Sequence, residues 1–197
     1  KSPGDSDATD IPGESADPGT ATPAVLLVVL DDVGIDQINA YRARLGVAET
    51  GPALPAVERL ADEGLSFHNA WASPTCSAMR AALLTGMFPE RVGFMSQGSG
   101  ISSDFVTLPE RLQHEVYSTW HIGKWHIGNT PVNGPLEQGF DQNIGGYSAL
   151  SPKWPGGYFE PNNNPHIDDA RVGEYLTDYL TRKAIKFIQG HQDRPFY

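Results

Sequence analysis

Residues 24–30, AVLLVVL, are an unbroken apolar run that ends on two acids, Asp31 and Asp32. A short uncharged run rich in β-branched and leucine side chains predicts a strand buried on both faces, the habit of parallel sheets. Residues 77–84 carry apolar positions that predict the first turns of a helix, with Leu83 and Leu84 toward the core and Gly86 as its stop. A second helix is predicted over 175–189, where Leu176, Tyr179, Leu180, Ile185 and Ile188 recur at helical spacing. The pattern predicts an α/β fold with a mostly parallel central sheet and helices on both faces. Residues 1–23 hold almost no large apolar side chains and many Pro, Gly, Ser, Asp and Thr, which predicts a flexible acidic tether. Residues 24–197 are then the folded part. Glycines, prolines and asparagines crowd the stretch from PLEQGFDQNIGGY to SPKWPGGYFEPNNNPH, which reads as loops. Within it, Lys153 and residues 162–164 suit turns, or contacts to a sugar.

The acid pair at the end of the predicted strand lies on the rim where open α/β sheets place ligands. Two adjacent carboxylates suit a hard divalent cation, and they also suit a helix cap or turn. Cys76 is the only cysteine, so it has no intramolecular disulfide partner. It is a small buried hydrophobe, a nucleophile, or the precursor of another group. Its place at a predicted helix start favours an anionic species there, and Arg80 follows about one turn later. Lys124 and His126 are two residues apart, which on an extended segment puts both on one face. Trp120 and Trp125 read as packing residues. His121 reads as structural, while His68, His114, His166 and His191 have no motif around them. With 14 basic and 24 acidic residues the net charge is −10, and no basic run suits nucleic acid. No apolar stretch is long enough to span a membrane.

Five segments in order, AVLLVVLDDVG, LPAVERLADEGLSFHNAWASPTCSAMRAALLTG, TLPERLQHEVYSTWHIGKWHIG, PLEQGFDQNIGG and YLTDYLTRKAIKFIQGHQDRPFY, resemble the sulfatase family of the alkaline phosphatase-like superfamily. The likeness covers residues 24–197. It departs from the commonest signature at Ala78, where proline is usual, and Met79, where serine is usual. The resemblance implies an alkaline phosphatase-like fold, truncated at the carboxyl-terminal side, and a sulfuric ester hydrolase for aryl sulfates or sulfated carbohydrates. It implies that Cys76 is oxidised to formylglycine by a maturation enzyme, and that Asp31, Asp32 and the modified Cys76 bind a divalent cation, Ca²⁺ in preference to Mg²⁺. Arg80 and Lys124 would steady anionic oxygens, Lys124 those of the sulfate, and His126 would hydrogen-bond the formylglycine hydroxyl. Net acidity does not oppose an anionic substrate, because local cations set the field at a site. Alternatives are a phosphodiesterase or phosphonate monoester hydrolase of the same superfamily, and a non-catalytic binding protein on a degenerate sulfatase fold. The acidic tether suits a periplasmic, secreted or lipid-anchored bacterial protein. Since the family places further metal ligands and a second lysine beyond the matching segments, residues 1–197 alone are expected to be inactive.

Overall fold

Helix α1 (Asn39–Arg44), α2 (Pro55–Glu63), α3 (Cys76–Thr85) and α4 (Leu108–His114) precede two three-residue strands, β1 (Trp120–Ile122) and β2 (Gln142–Ile144), and α5 (Leu176–Gly190) follows. The computed structural model describes residues 22–48, 51–94, 100–129, 131–147, 157–161 and 164–197. The tether predicted over 1–23 falls almost wholly outside the described residues, as do Lys153 and residues 162–163.

The helix boundaries have local causes. Pro55 opens α2 at a position where its missing N–H costs nothing. Helix α3 stops at Gly86, whose φ of 69° is left-handed backbone that suits glycine, and whose N–H donates to the Ala82 carbonyl. Helix α4 begins with a capping box: the Glu110 carboxylate accepts from the Thr107 N–H at 2.6 Å, and Thr107 Oγ1 accepts from the Glu110 N–H at 3.5 Å. Tyr179 and Phe187 are the buried residues of α5, and Phe187 stacks on Trp120 with ring centroids 4.3 Å apart.

Strands β1 and β2 pair in parallel, with Trp120 opposite Gln142, His121 opposite Asn143 and Ile122 opposite Ile144. On the other side of β1, the Ser118 N–H donates to Pro195 O at 3.2 Å and the Tyr197 N–H donates to Ser118 O at 2.9 Å. Val25 joins this edge through its N–H to Phe196 O at 2.7 Å.

The expected mostly parallel central sheet with helices on both faces is not what forms. Among the described residues there is one two-stranded sheet in a largely helical structure. The run 24–30 is not a strand: beyond Val25 its backbone has no ladder partner among the described residues, and Leu26 and Val28 are 64% and 68% exposed. Sheet membership requires partners for the backbone N–H and C=O groups, and apolar side chains do not supply them.

The core lies elsewhere. Ala78, Ala81 and Leu84 of α3 pack with Val92, Phe94, Ile101, Trp125, Ile127, Phe140 and Tyr197 in one buried cluster. Leu83, expected inward beside Leu84, is half-buried. Trp125 is 1% exposed and its indole N–H donates to Asn133 O at 3.0 Å, so its role is packing with its polar atom satisfied. This cluster ties the amino-terminal end of α3 to the segment after β1.

Candidate active site

Cys76 opens α3, and the Thr75 side chain makes no capping bond there, so the first amides of the helix face outward from its amino-terminal end. The Ser77 hydroxyl, completely buried, donates to the His126 carbonyl at 2.7 Å. That bond pins the start of the helix to the loop after β1. Across the same junction the Cys76 Sγ lies 3.2 Å from His126 Nδ1. His126 holds a φ of 64°, a left-handed conformation uncommon among residues other than glycine. The predicted extended geometry for Lys124–His126 therefore does not hold at His126, yet both side chains reach the same region.

The Lys124 ammonium pairs with Asp31 Oδ2. Arg80, one turn into α3, donates through one guanidinium nitrogen to the Lys124 carbonyl. A second Arg80 nitrogen lies 3.7 Å from Asp31 Oδ2. Arg80 therefore points at Asp31 and the Lys124 backbone, and its charge also acts on Cys76. Lys124 and Arg80 side chains are 11% and 14% exposed, and Asp31 is 29% exposed. Two cations against one carboxylate leave a net positive charge here, inside a chain of net charge −10. Asp32, the next residue, is exposed and has a φ of 57°.

Burial pushes the His126 pKa down, and the Lys124 and Arg80 cations push it further, outweighing the attraction of Asp31. The imidazole beside Cys76 is thus neutral near pH 7 and able to accept a proton. Burial also lowers the pKa of Arg80, opposed by Asp31 and Cys76.

Of the residues expected at the site, the structure gathers Asp31, Cys76, Arg80, Lys124 and His126 from three segments, with Asp32 exposed next to Asp31. Among the described residues no group of three or more His, Cys, Asp or Glu side chains is placed to hold a metal. Two carboxylates are part of the six to eight oxygens that Ca²⁺ takes. Ser77 escaped sequence reasoning, since it signalled only as a hydroxyl beside Cys76, and His121, three residues before Lys124, is the histidine read there as structural.

His121 is half-buried, and burial drives its pKa to about 4 against an unfolded value near 6.5. Since the unfolded chain binds this proton more tightly, the contribution to stability is full above pH 6.5 and is lost as pH falls toward 4. The expected loss on going from pH 7 to 4.5 is about 2 to 3 kcal/mol. Denaturant titrations of wild type and His121→Phe at both pH values measure it as a shrinking difference between the two proteins. A difference that stays constant would show that the ring is not held neutral.

The sulfatase family profile matches residues 23–197. The chain is 33% identical over 218 residues to N-acetylgalactosamine-6-sulfatase of Homo sapiens, covering 94% of this chain and 40% of that protein. It is 33% identical over 183 residues to N-acetylglucosamine-6-O-sulfatase of Bacteroides thetaiotaomicron, covering 90% of this chain and 29% of that protein. A solved structure in complex with its substrate D-glucosamine-2-N,6-O-disulfate matches with a TM-score of 0.61 and 32% identity, over 84% of this chain and 31% of that one. A further solved structure, from work on the metabolism of multiple glycosaminoglycans by Bacteroides thetaiotaomicron, has a TM-score of 0.70 over 90% of this chain and 50% of that one. At 22% identity this last likeness is one of backbone path alone. The chain spans less than half the length of these curated relatives. No described helix is long and apolar enough to cross a membrane. A profile match over nearly the whole chain, carried by the segments that bring Asp31, Cys76, Arg80, Lys124 and His126 together, places this chain in the sulfatase family of the alkaline phosphatase-like superfamily.

Proposed function

We propose that this chain carries the nucleophile and the anion-binding side chains of a sulfuric ester hydrolase acting on a sulfated carbohydrate, with Cys76 matured to formylglycine. The observation that supports it is the convergence of Lys124 and Arg80 on Asp31, next to a Cys76 side chain that lies 3.2 Å from the neutral His126 imidazole. Hydrated formylglycine supplies two hydroxyls on one carbon, one to attack sulfur and the other to expel sulfate afterwards.

The side chains present divide that work. The Cys76 sulfur stands in for the nucleophilic oxygen, and His126 Nδ1 at 3.2 Å is placed to hydrogen-bond that oxygen and take its proton. Lys124 and Arg80 offset the charge that grows on the sulfate oxygens, from side chains that are both largely withdrawn from water. Asp31 holds the Lys124 ammonium in place until an anion competes for it. A divalent cation, Ca²⁺ in preference to Mg²⁺, would take oxygen ligands from Asp31 and Asp32 and polarise a sulfate oxygen. These two acids are a partial set.

The named relatives release sulfate from the 6-position of N-acetylhexosamines, and the proposed substrate is a sulfate ester of such an amino sugar. The maturation enzyme is a second partner. The Pro-, Gly- and Ser-rich acidic composition of residues 1–23 fits an exported bacterial protein, periplasmic, secreted or lipid-anchored. A second reading, a binding protein without turnover, draws on Met79 in the maturation signature and on the absence of a three-ligand metal cluster among the described residues.

The test joins mass spectrometry with turnover in the complete gene product, made in a host that matures such cysteines. The Cys76 peptide is expected to be lighter by roughly 18 Da, the change from a thiol-bearing carbon to an aldehyde. Sulfate release from 6-sulfated N-acetylhexosamine is expected, exceeding release of phosphate from the matching phosphate ester. An unmodified thiol without turnover would favour the binding reading, and faster phosphate release would favour the phosphoesterase.

A further inference from the structure

The peptide groups on either side of the His126 Cα are both held. Its N–H donates to Tyr147 O at 3.4 Å, and its carbonyl accepts from the Ser77 hydroxyl at 2.7 Å. The flanking residues are anchors. Trp125 is 1% exposed with its indole N–H on Asn133 O, and Ile127 is completely buried, its carbonyl accepting from the Ile101 N–H at 2.8 Å. Between them His126 turns through left-handed backbone, with a φ of 64°, and its ring meets the Cys76 side chain at 3.2 Å.

Ser77 is completely buried in the first turn of α3, directly after Cys76. A serine near a helix start commonly serves that helix by accepting from its free amides. This one sends its proton across to another segment. Because residues 76 and 77 are consecutive on one helix, the side chain that carries the nucleophile and the hydroxyl that holds the His126 carbonyl move as one body. The cost of a left-handed residue other than glycine and the net worth of one buried hydrogen bond are of the same order, so loss of that bond is enough to let His126 relax.

We propose that Ser77 is a positioning residue: its hydroxyl fixes the peptide that follows His126, and so aims the imidazole at the nucleophile on residue 76. It touches neither substrate nor reacting atoms. The effect on turnover rests on the sulfatase reading; the effect on the His126 backbone does not.

Ser77→Ala removes the hydroxyl and Ser77→Thr keeps it. In the complete gene product, with kcat counted per formylglycine so that incomplete maturation does not enter, Ser77→Ala is expected to lower kcat about 10- to 100-fold, the scale of a misplacement near 1 Å. KM should change by less than about threefold, because Lys124 and Arg80 are held by Asp31 and the Lys124 carbonyl and not by Ser77. Ser77→Thr is expected to keep kcat within about threefold of wild type. Val92→Ala, in the same core cluster as α3, is the packing control, with a lowered Tm and kcat within about twofold of wild type. A Ser77→Ala protein that loses Tm and keeps its kcat, or a threonine variant as slow as the alanine one, would overturn the proposal and assign Ser77 to packing.

Crystal structures of the complete wild type and the two Ser77 variants give a readout free of turnover. In Ser77→Ala the peptide after His126 is expected to rotate and Nδ1 to leave hydrogen-bond reach of the residue 76 side chain, while Ser77→Thr keeps both. An unchanged His126 backbone and ring in Ser77→Ala overturns the proposal whatever the rate. If wild type releases no sulfate, the sulfatase reading fails alone and the His126 backbone still decides the role of Ser77. If Ser77→Ala does not fold, Ser77→Cys, close in volume and a weaker donor, takes its place with the same expected rotation and the same overturning result.

Discussion

Replacing Cys76 with alanine is expected to lower sulfate-ester turnover of the complete gene product by on the order of 10⁴-fold or more, the usual scale for loss of a covalent nucleophile. The structure gives this substitution little other consequence. Cys76 is only partly buried at the first position of α3, and the Ser77 bond to the His126 carbonyl and the Ala78 and Ala81 core contacts remain. The fold should survive, so unchanged thermal unfolding beside lost turnover is the expected pair of results. Serine at the same position makes the more discriminating variant. Its single hydroxyl can attack sulfur next to His126, but it lacks the second hydroxyl that expels sulfate. One turnover should then leave a sulfated serine, read as a mass gain of one sulfuryl group on that peptide and a burst of released alcohol without steady turnover. Sustained turnover by Cys76→Ser would show that the second hydroxyl is not needed, and with it the formylglycine chemistry would fall.

Lys124→Ala is expected to cut kcat/KM by about 10²- to 10³-fold, the range found when one donor to developing negative charge is removed from a water-poor site. The Lys124 side chain is 11% exposed and paired with Asp31, so water screens its charge little and an entering anion competes with Asp31 for it. Removing it leaves Asp31 with Arg80 at 3.7 Å. The net charge of the cluster then falls from positive to neutral. Arginine is not expected to restore activity, because its planar fork cannot take the place of a compact ammonium in a space already bounded by Arg80. The cost in stability should be small beside the loss of rate, about 1 kcal/mol, since Asp31 keeps a cationic neighbour and stays part-exposed. Steady-state kinetics and denaturant unfolding on the same preparation measure both. A loss under tenfold would remove Lys124 from the anion-binding group.

The separation of these two effects follows from how the site is assembled. Helix α3 brings Cys76 and Arg80, the segment after β1 brings Lys124 and His126, and the loop after the apolar run brings Asp31. Sequence motifs named all five side chains because each sits in a short contiguous pattern. Some of the links were not legible. Arg80, expected to reach the Cys76 group, also engages the Lys124 carbonyl and Asp31, since a guanidinium one turn along the helix meets the neighbouring backbone. Lys124 and His126 were expected to share the face of an extended segment, and the left-handed turn at His126 brings them together by another route.

Local chemistry is what the sequence determined. The length of α3 was legible to within one residue at each end, because apolar spacing and a glycine stop act within a few residues of each other. Helix α5 followed from the same periodicity, and the family was legible from its ordered motifs. Pairing was decided only by the tertiary structure. The apolar run 24–30 has the composition of a buried strand, yet whether its peptide groups find a ladder depends on segments more than a hundred residues away, and only Val25 meets one, at Phe196. The two strands that do pair are three residues each, too short to leave a periodic trace. The same distance in sequence hid the partners of His121, which are Asn143 and Gly146 on the opposing strand and its turn. Hydrogen bonds between remote backbones and side chains leave no signature at either end of the chain, so they had to be seen in place.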